Sequence, residues 1–306
     1  LEPLIADQTV TEIMVNGMGS IFVERSGRLE RLSQSFSSED EIYRTIDRIV
    51  SSVNRRVDES SPMVDARLAG GERVNVIIPP LALDGPTITI RRFPQPFRLN
   101  DLVALKSLPN DAASLLVSMV RARLNILVSG GTGTGKTTFL NALSGAIPEA
   151  ERILTIEDAA ELSLQQSHVV RMEARPANSE GKGQVTIRDL VRNALRMRPD
   201  RIVVGEVRGG ETLDMLQAMN TGHEGSLTTV HANSTVDALS RLETLASMSD
   251  VSLPVDTIRD QINGAIDVIV QLERDATGAR RVSEIAEVTS ERRESYVTQP
   301  IMRSLV

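Results

Sequence analysis

Two patterns of hydrophobic and polar positions follow one another along the chain. In the first hundred residues, short apolar runs separated by turn residues predict strands, at residues 13–15, 21–23, 73–78 and 87–90. Apolar positions at helical spacing, the last of them Val53, predict one helix over about residues 39–53. From Asp111 onward, apolar strands alternate with helices, which is typical of parallel βαβ units covered by helices on both faces.

This change of pattern predicts an α/β protein of two domains. A small α/β sheet domain covers residues 1–98, and a larger domain with a mostly parallel sheet covers residues 111–306. Residues 99–110 are predicted to form a linker or hinge, because prolines between residues 93 and 109 interrupt every periodicity. In the larger domain, strands are predicted at residues 125–129, 152–156, 201–204 and 227–230, and helices at residues 111–121, 136–147, 187–196, 212–219 and 236–248.

The composition is that of a globular protein, and it narrows the range of partners. Hydrophobic residues make up 41% and charged residues 25% of the 306 positions, which disfavours disorder. The formal net charge is -7, and aromatic residues make up 2% with no Trp. Because nucleic acids are bound through basic faces and aromatic stacking, no nucleic-acid partner is expected.

Two absences from the sequence limit the chemistry and the location. The chain has no Cys, which excludes disulfides and thiolate metal sites. Its apolar runs are shorter than the roughly 18 residues that cross a bilayer, and the start at Leu1-Glu2-Pro3 does not resemble a signal peptide. We therefore expect a cytoplasmic protein, and the start without Met leads us to expect that an upstream region is missing.

The run after the predicted strand at residues 125–129 is the strongest chemical signal. It fits the P-loop pattern of Gly, four residues and Gly-Lys-Thr, and it lies between a strand and an apolar-periodic helix. Its glycines would let backbone amides converge on phosphate oxygens, while Lys136 would reach the β- and γ-phosphates and the Thr137 hydroxyl would hold Mg²⁺. The predicted ATP-binding residues are Gly130, Gly131, Thr132, Gly133, Thr134, Gly135, Lys136, Thr137 and Thr138. A glycine-rich turn that fits by chance is the alternative, and the surrounding order of strand, loop and helix argues against it.

Carboxylates follow two other predicted strands. Glu206 comes just after the strand at residues 201–204, where a nucleotide site needs an acid for the magnesium shell and the attacking water. Taken alone, such a glutamate is more often a helix cap or a surface group, but the P-loop favours the functional interpretation. The strand at residues 152–156 ends in Glu157-Asp158-Ala159-Ala160-Glu161, for which catalysis and an acid-rich helix start are equally good interpretations.

Two histidines flank the predicted strand at residues 227–230. His223 and His231 suggest a metal site, but a chain with three His and no Cys offers few ligands for zinc. Ligands bind at the carboxyl ends of strands in open α/β sheets. A sensor of the γ-phosphate is therefore the favoured interpretation.

Four motifs occur in a fixed order in the second half of the chain. They are a Walker A run at residues 130–138, an Asp box at residues 155–162, a Walker B-like run at residues 203–208 and a His box at residues 221–231. Together they resemble the motifs of the secretion ATPases of type II and type IV secretion and of type IV pili. The closest resemblance is to the CpaF-type motor of tight-adherence (Flp) pili, and it extends over essentially the whole chain.

This resemblance implies a RecA-like P-loop domain, hydrolysis of ATP with Mg²⁺, and roles for single residues. Glu161 resembles the Asp-box glutamate that positions or deprotonates the attacking water, and His231 resembles the His-box residue that senses the nucleotide state. Glu206 resembles the Walker B glutamate, which implies a place at the metal beside Thr137. Gly205-Glu206 stands where general P-loop enzymes have an Asp, and the family shares this departure.

Arginines are a further element that the resemblance implies. Family members use arginines from the end of the N-terminal domain and from the region after the Asp box, partly across a subunit boundary. The matching candidates are Arg91, Arg92, Arg171 and Arg175. An arginine would neutralise charge on the transferred phosphoryl group, and surface solvation is the alternative for each of the four.

The resemblance also implies an assembly and a location. The expected assembly is a homohexameric ring with nucleotide between the two domains of each subunit, acting on inner-membrane pilus platform proteins at the cytoplasmic face of the inner membrane. ATP would then close one domain on the other through the linker, and the motor would drive pilus assembly, retraction or both. Two alternatives are a scaffold that binds ATP without turnover, disfavoured by the carboxylates, and a RecA-like nucleic-acid motor, disfavoured by the acidic charge.

Overall fold

The protein folds into two compact units, Leu1–Gln95 and Pro96–Val306. The computed structural model describes residues 1–25, 28–52, 55–68, 70–92, 96–177, 182–275, 277–289 and 296–303. Val53, the last apolar position of the first predicted helix, lies outside these ranges, and so do residues 93–95 at the start of the proline-containing stretch.

Unit 1 is an antiparallel sheet with a helix packed against it. Its helices are α1 (Glu2–Ala6) and α2 (Glu39–Ser51), and its strands are β1 (Val10–Asn16), β2 (Ser20–Arg25), β3 (Arg28–Arg31), β4 (Met63–Arg67), β5 (Arg73–Ile77) and β6 (Thr87–Arg91). In the described part of this unit, the six strands are ordered β3-β2-β1-β6-β5-β4, and all neighbouring pairs are antiparallel.

One hydrophobic core joins this sheet to α2. Strand β1 buries Ile13 and Val15, with the period of two that a strand with one covered face requires. Helix α2 buries Ile42, Ile46 and Ile49, which lie on one face of the helix. The sequence pattern predicted this helix and the apolar strands because each has one buried face.

Unit 2 alternates helices and strands for most of its length. Its helices are α3 (Leu99–Ala104), α4 (Asn110–Arg121), α5 (Lys136–Ser144), α6 (Ile187–Ala194), α7 (Glu211–Asn220), α8 (Thr235–Ala246) and α9 (Val255–Ala265). Its strands are β7 (Ile126–Gly130), β8 (Ile153–Glu157), β9 (Val169–Glu173), β10 (Arg201–Val204), β11 (Leu227–Val230), β12 (Val268–Arg274), β13 (Arg280–Val288) and β14 (Thr298–Arg303).

The sheet of unit 2 is mostly parallel. Within the described residues, its eight strands are ordered β14-β13-β12-β7-β11-β10-β8-β9. The strands from β12 to β9 pair in parallel, whereas β13 and β14 add an antiparallel edge. Parallel strands are joined by crossover connections, so strands that follow one another in sequence need not be neighbours in the sheet. Strand β7 accordingly lies between β12 and β11, although β8 follows it in sequence. The predicted α/β class, with a small sheet domain and a mostly parallel second sheet, is confirmed.

Helices cover both faces of this sheet. Leu127 packs in a core with α6, α7, α8 and α9, whereas its neighbours Ile126 and Val128 pack in a second core with α3, α4 and α5. Successive side chains of a strand point to opposite faces, so a strand covered on both sides is apolar at every position. In the part of the chain that the structure describes, none of the helices is long and apolar enough to cross a membrane.

Residues 99–110 belong to unit 2. A linker or hinge is predicted here, but α3 occupies residues 99–104 and α4 begins at Asn110. Leu99, Leu102 and Leu108 are buried in the core that α5 shares. The structure therefore differs from the prediction because Pro109 marks the start of a helix rather than a loose segment. The division between the units lies at Gln95, before the predicted boundary.

A fully buried arginine braces the amino ends of the central strands. Arg201, the first residue of β10, is 0% exposed, and its Nε lies 2.5 Å from Glu151 Oε2. Its Nη atoms donate to the carbonyls of Gly225 at 3.1 Å and Val120 at 2.9 Å. A buried charge is tolerated when it is paired and hydrogen-bonded in this way. The guanidinium fills the space beside Gly225, where a Cβ would lie 1.5 Å from Arg201 Nη1.

We expect Gly225→Ala to lower the thermal stability of the protein much more than Gly222→Ala. Both glycines have a left-handed backbone, with φ of +79° and +89°, so either substitution introduces strain of about 1–2 kcal/mol. A Cβ at position 222 meets no atom within 4 Å, whereas a Cβ at position 225 collides with Arg201. Thermal melts followed by circular dichroism measure the difference, and equal shifts for the two variants would contradict this account.

Candidate functional site

Four strands of unit 2 end at the same edge of the sheet. β7, β11, β10 and β8 are consecutive neighbours and all pair in parallel. In register, Ser129 lies opposite Val230, and Val204 lies opposite both Thr228 and Ile156. The segments that follow these strand ends therefore meet, and they contain most of the Walker A run, His231 at the end of the His box, and the last residues of the Walker B-like and Asp-box runs.

The loop after β7 has the backbone of an anion-binding nest. Gly133 and Gly135 have φ of +73° and +92°, while Thr134 between them and Lys136 at the start of α5 do not have positive φ. Alternation of this kind turns successive amides toward one concave side, and the amino end of a helix adds its positive dipole. A Cβ on Gly130 would lie 2.6 Å from Thr134 Oγ1, so glycine is also required at the loop's first position.

Lys136 lies inside this loop and is bonded to it. Its Nζ donates to the carbonyls of Gly130 and Gly131, at 3.0 Å each. The same Nζ lies 3.3 Å from both ring nitrogens of His231. Burial lowers the pKa of Lys136, an effect that the negative charge of Glu206 opposes. The amine thus links the P-loop with the His box.

Glu206 connects the His box with the Walker B-like run. Its Oε1 lies 2.8 Å from His231 Nε2, and its Oε2 accepts hydrogen bonds from Arg208, at 2.6 Å from Nη2 and 3.0 Å from Nε. The Arg208 guanidinium also lies 3.6 Å from Asp158. Burial lowers the pKa of His231 although the charge of Glu206 opposes it, and the hydrogen bonds that Arg208 donates to Glu206 raise the pKa of Arg208. Lys136, His231, Glu206 and Arg208 therefore form one continuous polar chain.

The Asp box is organised by its first carboxylate, Glu157. This side chain is 3% exposed, and its Oε1 accepts hydrogen bonds from the amides of Glu161 and Leu162, at 2.9 Å each. Burial raises the pKa of Glu157 to about 7, against the lowering effect of those two amides. Gly205 makes room for it, because a Cβ there would lie 2.8 Å from Glu157 Cγ.

Glu161, the predicted catalytic carboxylate, is half-buried and follows this organised turn. Its negative charge contributes to raising the pKa of both Glu157 and Arg208. Charges influence one another most strongly at short range. The structure thus places Glu161 where its charge acts on Glu157 and Arg208, and its catalytic role stays a prediction.

Arg171 and Arg175 lie on the Asp-box side of the site. Arg171 is an exposed residue of β9 whose positive charge lowers the pKa of Glu157. Arg175 donates from Nε to the carbonyl of Gly183 at 2.7 Å. A cavity of about 430 Å³ is lined by Arg175, Arg208 and Asp158, among other residues. These arginines are near the carboxylates, and their role toward a nucleotide stays a prediction.

Arg91 and Arg92 belong to unit 1, where both have partners. Arg91 Nη2 lies 3.8 Å from Glu12 on the neighbouring strand. Arg92 donates from Nη1 to the carbonyls of Asp7 and Val10, at 3.3 Å for the second. These contacts hold the start of β1 within unit 1. A contact with nucleotide remains a prediction for both residues.

The amides and the lysine of the loop are hydrogen-bond donors, which suit a polyphosphate and do not ligate a metal ion. Thr137 is half-buried at the start of α5, whereas Thr132 and Thr138 are exposed. Among the described residues, no group of three or more His, Asp and Glu side chains is arranged to hold a metal ion. Magnesium commonly keeps several waters and binds through substrate phosphates and one or two protein oxygens. Thr137 and Glu206 could supply such oxygens.

Three residues of this site have no role that the sequence pattern predicted. Glu157 belongs to the acidic run after β8, and Arg208 belongs to the Walker B-like run. The motifs therefore pointed to both segments, but residue type did not show which side chain in each segment contacts the others. Arg280, on β13, donates from Nε to the carbonyl of Gly133 at 2.9 Å. Because Arg280 lies 147 residues further along the chain than Gly133, no local sequence pattern connects it with the loop.

Comparisons with known proteins agree with the fold and with the order of motifs. Residues 1–302 match the family described as Type II/IV secretion system protein. A Mycobacterium tuberculosis protein whose name assigns it provisionally to conjugal transfer is 42% identical over 293 residues, which cover 94% of this chain and 83% of that protein. The type IV secretion system protein PtlH of Bordetella pertussis is 36% identical over 310 residues, covering 92% of this chain and 91% of PtlH.

A solved structure has the same architecture. The VirB11 ATPase from the type IV secretion system of Brucella suis, determined in complex with sulphate, has a TM-score of 0.53 and 29% sequence identity to this chain. The match covers 94% of each chain, so both units take part in it. By its sequence, its fold and the extent of the match, the chain belongs to the Type II/IV secretion system protein family.

Proposed function

We propose that the chain is an ATP-hydrolysing motor that powers a type IV secretion apparatus or a type IV pilus. The observation that carries this proposal is the polar chain Lys136–His231–Glu206–Arg208 at the open end of a glycine nest. PtlH is named as a type IV secretion system protein and VirB11 as an ATPase of such a system, which supports the same conclusion.

The phosphate loop would bind the nucleotide through its amides and through Lys136. In the present geometry, Lys136 donates to the carbonyls of Gly130 and Gly131, which are weak partners compared with a phosphate oxygen. A bound triphosphate would draw Nζ away from these carbonyls and from His231. The loss of the contact between Lys136 and His231 would report to the His box that the site is filled.

Glu206 would serve the metal shell and the attacking water. At present its Oε2 accepts from Arg208, whereas its Oε1 lies 2.8 Å from His231 Nε2 without a hydrogen bond, so Arg208 has to release the carboxylate before both oxygens can act. Bound magnesium would neutralise charge between the phosphates. Arg208 would then remain as a cation near the site, beside Asp158.

Glu161 would position or deprotonate the attacking water, and Glu157 would position Glu161. The two hydrogen bonds to Glu157 Oε1 fix the backbone direction from which the Glu161 side chain extends. A carboxyl with a pKa of about 7 is half-ionised near neutral pH, so this anchor is sensitive to its surroundings. Small displacements of a catalytic group reduce rates strongly, which gives such an anchor a function.

The remaining features of the proposal rest on the sequence resemblance. They are a homohexameric ring, a hinge between the units, contact with inner-membrane platform proteins, and a location at the cytoplasmic face of the inner membrane. Arg91, Arg92, Arg171 and Arg175 would contribute positive charge to nucleotide sites, some of them across a subunit boundary. Assignment to the CpaF-type motors of tight-adherence pili is the finest level of the proposal, and relatives named for conjugation and type IV secretion leave it as a prediction.

A nucleotide-gated scaffold is the second candidate function. The observation in its favour is that Arg208 holds Glu206 Oε2 with two hydrogen bonds, an arrangement suited to binding without turnover. A scaffold that never released this carboxylate would assemble in response to ATP and hydrolyse almost none. Comparing turnover of the wild type with that of carboxylate variants separates the two functions.

Lys136→Ala is expected to reduce kcat/KM for ATP by about 100-fold or more, because the variant loses a charge aimed at the developing negative charge of the phosphates. Phosphate release assays measure the rate, and Lys106→Asn is a matched control that removes an exposed lysine charge. Lys106 has φ of +57°, a conformation that Asn tolerates. Unchanged turnover in Lys136→Ala would refute the motor.

Glu206→Gln and Glu161→Gln are each expected to lower kcat by about 100- to 1,000-fold while the Kd for nucleotide changes only a few-fold. The amide keeps the size of each side chain and removes the charge. The exposed Glu224→Gln is the control and should retain wild-type turnover. Equal, negligible turnover in the wild type and in Glu206→Gln would instead favour the scaffold.

Glu157→Gln is expected to change how stability depends on pH. The pKa of Glu157 rises from 4.5 in the unfolded chain to about 7 in the folded one, so the folded state binds the extra proton between these values. The shift of this pKa therefore does not change the free energy of unfolding below pH 4.5. As the pH rises, it lowers that free energy, by about 3 kcal/mol above pH 7.

The variant should accordingly gain stability relative to the wild type as the pH rises from 4.5 to 7, less the cost of burying its amide NH₂. Its Oε1 can still accept from the amides of Glu161 and Leu162. Urea unfolding at several pH values gives the difference between the two proteins. A difference that is constant from pH 4.5 to 8 would show that Glu157 does not titrate in this range.

A further inference from the structure

The hairpin of β12 and β13 places the positively charged side chain of Arg280 beside the phosphate loop. β12 pairs in parallel with β7, with Leu272 opposite Gly130, so the end of β12 is fixed beside the start of the loop. Asp275 holds the turn that follows, because its Oδ1 accepts from the amide of Ala279 at 3.0 Å. The next residue, Arg280, is therefore placed by hydrogen-bonded backbone on both sides.

Among the described residues, the side chain of Arg280 makes one hydrogen bond, and it is to the loop. Its Nε donates to the carbonyl of Gly133 at 2.9 Å, and its Cδ would lie 3.1 Å from a Cβ on Gly135. No carboxylate of the described residues pairs with it, although the neighbouring Arg281 pairs with Asp275 at 2.8 Å. The side chain is exposed, so this contact is not forced by burial. It belongs to the loop rather than to a surface ion pair.

This bond determines the direction of one amide. In a trans peptide, the carbonyl and the N–H that follows it point to opposite sides. With the Gly133 carbonyl held toward Arg280, the amide of Thr134 faces away from the guanidinium. Alternating φ at Gly133, Thr134 and Gly135 turns the amides of this segment toward the concave side of the nest.

We propose that Arg280 is a positioning residue for the phosphate loop, which it holds from outside in the conformation that receives a polyphosphate. This inference rests on the proposed nucleotide function of the same loop. Lys136 also holds loop carbonyls, but its amine has to leave them to reach a phosphate. The bond from Arg280 lies on the opposite side of the Gly133–Thr134 peptide and can persist in both states.

The residue across the hairpin offers an independent way to break this contact. Arg274 on β12 lies directly opposite Arg280 on β13. Like charges on opposed residues of antiparallel strands repel one another, which disfavours a guanidinium turned back across the hairpin. The carboxylate introduced by Arg274→Glu would attract Arg280 and compete with the neutral carbonyl of Gly133.

The primary test is hydrogen–deuterium exchange of the amides of residues 131–136 in the nucleotide-free protein. Arg280→Ala and Arg274→Glu should each speed exchange of this segment by about 3- to 10-fold, as expected for loss of one charge-assisted hydrogen bond. Arg280→Lys can still donate to Gly133 and should exchange more slowly than Arg280→Ala. Arg274→Gln, which introduces no carboxylate, should behave as the wild type.

Nucleotide binding provides the second readout. The Kd for ADP and the KM for ATP should rise by a similar factor in Arg280→Ala and Arg274→Glu, with kcat within about twofold of the wild type. The double variant should be no worse than Arg280→Ala alone, because both changes remove the same bond. Arg121→Gln, which removes an exposed positive charge on α4 at the opposite end of the sheet, controls for overall charge.

The outcomes separate this inference from the proposed function. If wild-type protein hydrolyses ATP while Arg280→Ala leaves loop exchange, Kd and KM unchanged, the role of Arg280 is wrong and the motor is unaffected. If wild-type protein neither binds nor hydrolyses ATP, the proposed function fails, and loop exchange in the nucleotide-free variants still decides whether Arg280 holds the loop.

Discussion

Parallel pairing of β7, β11, β10 and β8 is the constraint on which the rest of the structure depends. Backbone hydrogen bonds bring the carboxyl ends of these four strands to one edge of the sheet. Each strand is buried on both faces and is followed by polar residues. The apolar core therefore fixes the strand ends, and Lys136, His231 and Glu206 meet there, while Glu157 lies against Gly205 of the neighbouring strand.

Burial then sets the electrostatics of the site. Removal from water disfavours the charged form of a group, so it lowers the pKa of Lys136 and His231 and raises that of Glu157. The hydrogen bonds that Arg208 donates to Glu206 raise the pKa of Arg208 and keep its guanidinium charged. Burial and neighbouring charges together therefore set the pKa values in the site. An incoming polyphosphate would meet Lys136, whose present partners are neutral carbonyls of the loop.

Glycines give this site its close contacts. Gly130 faces Thr134 and the carbonyl of Leu272, and Gly205 faces the buried side chain of Glu157. The second contact gives a physical reason for the absence of an acid directly at the end of β10. Space that an Asp at position 205 would fill is occupied by Glu157, and the carboxylate is displaced by one residue to Glu206. The Asp box and the Walker B-like run therefore pack against each other, and the residues of one determine which residues fit in the other.

The sequence by itself determined the two-domain α/β class and the alternating helices and strands predicted between residues 111 and 248, although it did not predict β9, because periodicity is a property of neighbouring residues. It also predicted the P-loop from its glycine-rich pattern. It also indicated Glu206 and His231 through their places after apolar strands. Only the tertiary structure decided the strand order, the burial of Leu99, Leu102 and Leu108 in unit 2, and the partners of Glu157 and Arg280. Those features depend on contacts between distant segments, and packing around a shared core selects such contacts in a way that local pattern does not encode.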